Sequence, residues 1–78
     1  MIVINYNVEA LADSAYDLFV YGLKELEQEH SILIEPIIEK DRAMKRITLH
    51  GYKNQMDDDL IEQCNDRFKK SFKYKGVI

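Results

Sequence analysis

The stretch VEALADSAYDLFVYGLKEL, residues 8–26, carries the clearest structural signal in the chain. Its apolar residues recur at intervals of three and four, the spacing that places side chains on one face of an α-helix. We expect an amphipathic helix with Asn7 as its amino-terminal cap. Gly22 lies on the apolar face, where we expect a close approach to a sheet. The apolar positions are Val8, Leu11, Ala12, Ala15, Leu18, Phe19, Gly22, Leu23 and Leu26.

Three runs rich in β-branched and aromatic residues predict strands, at residues 2–6, 32–39 and 45–52. Pro36 has no amide hydrogen to donate to a ladder, so the second strand should lie at an edge of the sheet. The third strand alternates, which places Ile47 and Leu49 inward. The residues expected to face outward are Arg46, Thr48, His50 and Tyr52.

A second helix is expected from about residue 55 to residue 73, with Asn54 and Asp57 forming a capping box at its start. Gly76 should end the helix, and Val77 and Ile78 should fold back on its last turn. Its predicted buried stripe is Leu60, Ile61, Cys64, Phe68 and Phe72.

The order strand, helix, strand, strand, helix predicts an α+β fold in a single domain spanning residues 1–78. We expect a two-layer β-α-β-β-α sandwich, with a three-stranded antiparallel or mixed sheet and two helices on one face. The connection rules favour the third strand between the first and second. An alternative makes residues 76–78 a fourth edge strand of a ferredoxin-like fold.

Composition excludes several classes of protein. The 78 residues enclose one small core, and 46% apolar with 32% charged residues is typical of globular chains. Cys64 is the only cysteine, so no intrachain disulfide forms, and a cytoplasmic location is expected. No segment resembles a signal peptide or the ~20 apolar residues that a membrane span needs.

No catalytic residue, metal site or cofactor is expected. His30, His50 and Cys64 are the only soft metal ligands, and the predicted helix and strand faces separate Cys64 from His50. Serine or cysteine nucleophiles lie in no recognisable catalytic setting, and no glycine-rich phosphate loop is present. We therefore expect a protein that is not an enzyme.

Charge is unevenly distributed along a chain whose net charge is −3. Residues 1–66 hold all fourteen acids but six of the eleven bases, whereas residues 67–78 hold five bases and no acid. Acids at the start of a helix and bases at its end both stabilise the helix through its dipole, and this structural role is by itself a sufficient explanation of the basic cluster. The second helix should therefore present an acidic first half and a basic second half.

The element order and the stretch ITLHGYKNQMDDDLIEQC, residues 47–64, resemble the DinI-like family. Ile47, Leu49 and Gly51 match the family's strand, and Leu60, Ile61, Glu62 and Phe68 match its second helix. The resemblance implies a small intracellular regulator of the DNA-damage response, often phage-borne, that binds the RecA filament. In that family the second helix stays acidic to its end, whereas here Arg67 and four lysines follow the acids.

The favoured interpretation is a regulatory or inhibitory protein that binds a protein partner, RecA or another host factor, through the exposed face of the second helix. The residues expected to bind this partner are Asp58, Asp59, Glu62, Asp66, Lys69, Lys70 and Lys73.

Two alternatives remain. A nucleic-acid-binding module would use Lys69, Lys70, Lys73, Tyr74 and Lys75. A homodimer or other structural assembly would associate through the outer sheet face or an edge strand. The apolar residues expected on that face are Val3, Leu33, Ile37 and Tyr52.

Overall fold

The computed structural model describes residues 1–78 and has the predicted order of elements. The elements are β1 (Ile2–Asn5), α1 (Glu9–His30), β2 (Pro36–Asp41), β3 (Arg46–Tyr52) and α2 (Asp58–Tyr74).

The sheet has the strand order β1-β3-β2, and both pairings are antiparallel. Pro36 is the first residue of an edge strand, a position where its missing amide hydrogen costs no ladder bond. The predicted start of this strand at Ile32 is wrong. The amide of Ile34 instead donates to the Glu27 carboxylate of α1 at 2.8 Å, which ties the connection to the helix.

A bulge interrupts the pairing of β2 with β3. Ile38 lies opposite Leu49 and Ile37 opposite Gly51, so His50 has no partner on β2. Gly51 adopts a φ of 156°, which side-chain-bearing residues rarely adopt. The extra residue reverses the alternation beyond it. Tyr52 therefore lies on the helix side of the sheet, and its predicted outward position is wrong.

Thr48 lies on the outer face as predicted, yet only 6% of it is exposed. It occupies the central strand, with Val3 and Glu39 opposite it on the two neighbouring strands. Its neighbours cover it, so a place on the uncovered face of this small sheet does not make a residue solvent-exposed.

Val8 occupies the cap position before the first residue of α1, and no side chain makes a capping hydrogen bond there. The prediction that Asn7 caps this helix is wrong. Gly22 is buried, but a Cβ atom added there would meet the Arg67 side chain of α2 at 3.4 Å and no atom of the sheet within 4 Å. The expected close approach is to the second helix, not to the sheet.

Both helices lie on the same face of the sheet and run antiparallel. Lys40 of β2 pairs with Glu9 of α1 at 3.0 Å, and the Tyr52 hydroxyl of β3 donates to Asn65 of α2 at 2.9 Å. Met56 and Leu60, beside the start of α2, share a surface cavity with His30 and Ile32 at the end of α1. The two helices cover different halves of the sheet, α1 above β2 and α2 above β1.

The core is centred on three aromatic rings. Phe19 and Phe68 pack edge to face at 5.0 Å, and Phe68 and Phe72 lie 4.9 Å apart, geometries that aromatic pairs favour. Four of the five predicted stripe residues of α2 are buried, and Ile61 is half-buried. The buried hydrophobic residues are Ile4, Tyr6, Ala12, Ala15, Phe19, Leu23, Leu26, Ile34, Ile47, Leu49, Leu60, Cys64, Phe68 and Phe72.

Candidate partner-binding surface

The amino-terminal end of α2 is fixed by Asp57, whose carboxylate accepts a hydrogen bond from the Leu60 amide at 2.8 Å. This is the usual geometry of an aspartate cap. The predicted capping box is wrong, because Asn54 donates instead to the carbonyl of Leu33. Asp58 and Asp59 occupy the first turn, where the helix dipole favours negative charge.

The carboxyl-terminal end of α2 closes at Gly76, which has a φ of 77°. The amide of Val77 bonds to the carbonyl of Phe72 at 2.9 Å, and that of Gly76 to the carbonyl of Lys73 at 3.1 Å. These two bonds form a Schellman cap. Val77 packs against the core, as predicted, whereas Ile78 is 59% exposed. Residues 76–78 form no fourth strand.

The residues predicted to bind a partner share the outer face of α2, and we call them the charged ridge. Helical spacing places them opposite the stripe that contains Cys64 and Phe68. At 1.5 Å per residue the ridge extends roughly 22 Å from Asp58 to Lys73. All seven are exposed: Asp58, Asp59, Glu62, Asp66, Lys69, Lys70 and Lys73.

Few charges of the ridge are neutralised within the chain. Asp66 and Lys70, one turn apart at the boundary between the acidic and basic halves, form an ion pair at 3.2 Å. No other member of the ridge forms an ion pair, so each half presents unpaired charge of one sign. The unpaired members are Asp58, Asp59, Glu62, Lys69 and Lys73.

The basic half of α2 also presents an aromatic ring. Tyr74 is 80% exposed, and the Lys75 ammonium group lies 5.9 Å from its ring centre. With Lys69, Lys70 and Lys73 on the same half of the helix, the residues of the nucleic-acid alternative lie together at one end of the molecule.

A groove between the helices joins the ridge to α1 and was not predicted. Tyr21 of α1, 68% exposed, and Tyr74 of α2 lie on its two sides. Arg67 pairs with Glu25 across the groove at 3.4 Å, above the space that Gly22 leaves free. The groove has a volume of about 610 Å³. Tyr21 and Tyr74 are far apart in sequence, and neither interrupts a pattern, so only the antiparallel helix pairing reveals the groove.

The residues predicted for self-association do not form one patch. Val3 and Ile37 are exposed on the outer sheet face, at 46% and 42%. Leu33 is exposed in the connection before β2, and Tyr52 faces α2. Glu39 and His50, joined by a 2.8 Å hydrogen bond, add polar groups to the outer face.

The environment of Cys64 and Tyr52 favours their neutral forms. Burial is the main cause of the raised pKa of the Cys64 thiol, and burial likewise raises the pKa of the Tyr52 phenol. The thiolate is the nucleophilic form of cysteine, so a fully buried thiol with a raised pKa is poorly suited to covalent chemistry. No group of three or more His, Cys, Asp or Glu side chains is arranged to hold a metal ion.

Comparisons with protein-family models, with curated proteins and with solved structures find no match to this chain. Neither helix combines the length and the apolar character that crossing a membrane requires.

Proposed function

We propose that this protein is a non-enzymatic regulatory or inhibitory protein that binds a protein partner through the charged ridge of α2. The observation that carries the proposal is the unpaired charge on the ridge, with Asp58, Asp59 and Glu62 at one end and Lys69 and Lys73 at the other. A partner with basic groups opposite the acids and acidic groups opposite the lysines would be held in one orientation.

The charged ridge is rigid because the opposite side of α2 is packed into the core. Leu60, Cys64, Phe68 and Phe72, on the opposite side of the same helix, are 3% exposed or less. Both ends of α2 are capped, so the charged groups are presented on a backbone fixed before binding. Preorganisation of this kind reduces the entropy that association costs.

The partner suggested by the DinI-like resemblance is the RecA filament, in a cytoplasmic setting. The acidic half of the ridge would then meet basic groups on that filament. A direct test is co-sedimentation of the protein with RecA filaments assembled on single-stranded DNA. The control is the same protein centrifuged without filaments. Failure to co-sediment at low salt would exclude RecA and leave the wider proposal to the next experiment.

The wider test uses charge reversal with a matched control. The variant Asp59→Lys with Glu62→Lys reverses the acidic half of the ridge, and Asp17→Lys with Glu29→Lys makes the same change of net charge on α1. All four acids are exposed and form no ion pair. The wild-type protein is first used to pull down a protein partner from host lysate. The affinity of that partner should fall at least about tenfold for the ridge variant and change little for the control variant. Equal losses in both variants would contradict a role for the ridge.

A second candidate function is supported by the exposed ring of Tyr74 among lysines. Single-stranded nucleic acid could stack a base on this ring while Lys69, Lys73 and Lys75 contact phosphates. Oligonucleotide binding measured at about 50 and 200 mM salt tests this, because phosphate contacts make affinity fall steeply with salt. Binding that is lost in Tyr74→Ala and retained in Tyr21→Ala would support it, and no binding at the lower salt would refute it.

A further inference from the structure

The outer edge of β1 has backbone groups without partners. The Tyr6 amide bonds to the carbonyl of Lys45 on the β3 side at 2.9 Å. In an antiparallel ladder the residues alternate between bonding inward and outward, so Ile4 also bonds toward β3. The amide and carbonyl groups of Val3 and Asn5 must therefore point away from the sheet. These four groups lie in a row on one edge.

The two edges of the sheet differ in their protection against strand pairing. β2 begins with Pro36, has a bulge opposite its first half and carries Lys40 on its inward face, three features that hinder pairing with another strand. β1 has the sequence IVIN, with no charge, proline or bulge. The β1 edge therefore combines free hydrogen-bonding groups with a strand that lacks the proline, the bulge and the inward charge of β2, and the short length of β1, four residues, limits any pairing to a few bonds.

The charges of α2, the helix above β1, are also arranged along the direction of this strand. Ile61 and Asn65 of α2 line a surface cavity of about 310 Å³ together with Met1 and Ile2. Gly76 and Val77 share a further cavity with Tyr6 and Asn7 at the other end of the strand. The helix therefore runs in the same direction as the strand beneath it, with its acidic half above the start of β1 and its basic half above the end.

We propose that β1 pairs antiparallel with β1 of a second copy of this chain, which forms a six-stranded sheet. With Val3 opposite Asn5 of the second copy and Ile4 on the two-fold axis, the free groups make four backbone hydrogen bonds. The same axis makes the two α2 helices antiparallel, so the acidic half of each lies beside the basic half of the other. This inference does not rest on the proposed function, but the dimer brings the charges of the ridge together between copies, so dimerisation and partner binding would compete for them.

A proline substitution tests the pairing without disturbing the ladder between β1 and β3. Val3→Pro removes an amide hydrogen that points outward, whereas Val3→Thr keeps that hydrogen and the β-branched shape. Sedimentation equilibrium should show a reversible monomer–dimer equilibrium for the wild-type chain and for Val3→Thr. Val3→Pro removes two of the four bonds and should weaken the dimer about tenfold or more.

Two results would overturn the proposal. A wild-type chain that remains monomeric up to about 1 mM has no interface of this kind. A dimer of unchanged strength in a folded Val3→Pro variant would have to use another surface. If that variant does not fold, amide hydrogen exchange of the wild-type chain decides. Protection of Val3 and Asn5 that rises with protein concentration supports the pairing, and protection independent of concentration refutes it.

Discussion

Replacing Gly22 by alanine should stabilise the protein, although Gly22 is buried. Glycine in the middle of a helix costs about 1 kcal/mol relative to alanine. The new methyl group would meet only the Arg67 side chain, with Nη1 at 3.4 Å and Cδ at 3.6 Å, which is ordinary van der Waals contact with a flexible group. We expect the free energy of unfolding to rise by about 0.5–1 kcal/mol, which for a domain of this size raises Tm by roughly 2–8 °C.

The matched control is Gly76→Ala. Gly76 has open space around it but a φ of 77° in the cap of α2, so a side chain there strains the backbone. We expect this variant to lose about 1–2 kcal/mol. Thermal unfolding followed by circular dichroism, with urea titration as a second probe, compares the two. A lower Tm for Gly22→Ala would refute the prediction, because the helices would then be packed too closely to admit a methyl group.

Three further predictions concern single interactions. Asp57→Ala removes the cap of α2 and should cost about 1 kcal/mol in urea unfolding; an unchanged midpoint would argue against the cap. Tyr52→Phe leaves the half-buried Asn65 side chain without the hydroxyl that donates to it, and should cost about 0.5–1.5 kcal/mol by the same measurement; an unchanged midpoint would contradict a stabilising role for this hydrogen bond. Alkaline pH should destabilise the fold, because burial raises the pKa of Tyr52 and the hydrogen bond to Asp13 raises that of Lys40. Raised pKa values give stability that is complete below the ordinary values of 10.0 and 10.5 and is lost as pH rises above them, so Tm should be lower at about pH 11 than at about pH 8.

The sequence predicted those features that depend on periodicity within one element. The buried faces of both helices follow from apolar spacing, and the edge position of β2 follows from Pro36. The exposure of Glu62 and Lys69 follows from the same helical spacing, because residues opposite a buried stripe must face solvent. These features were predictable because each depends on residues close together in the chain.

Features that depend on partners distant in the chain were not predicted. Tyr52 faces α2 because a bulge at His50 reverses the alternation of β3, and the sequence of β3 alone shows no sign of it. Asn54 is a plausible cap, yet its side-chain amide donates to the carbonyl of Leu33, and Asp57 caps α2 instead. The groove beside Gly22 likewise exists only because two helices meet there.

Because Cys64 is completely buried, the reactivity of its thiol in the wild-type chain measures how often the structure opens. This thiol is 0% exposed and is the only one in the chain. A thiol reagent can therefore react only after the helix layer separates from the sheet or unwinds around it. The rate of modification under native conditions then measures how often that separation occurs, with no label or engineered residue in the molecule.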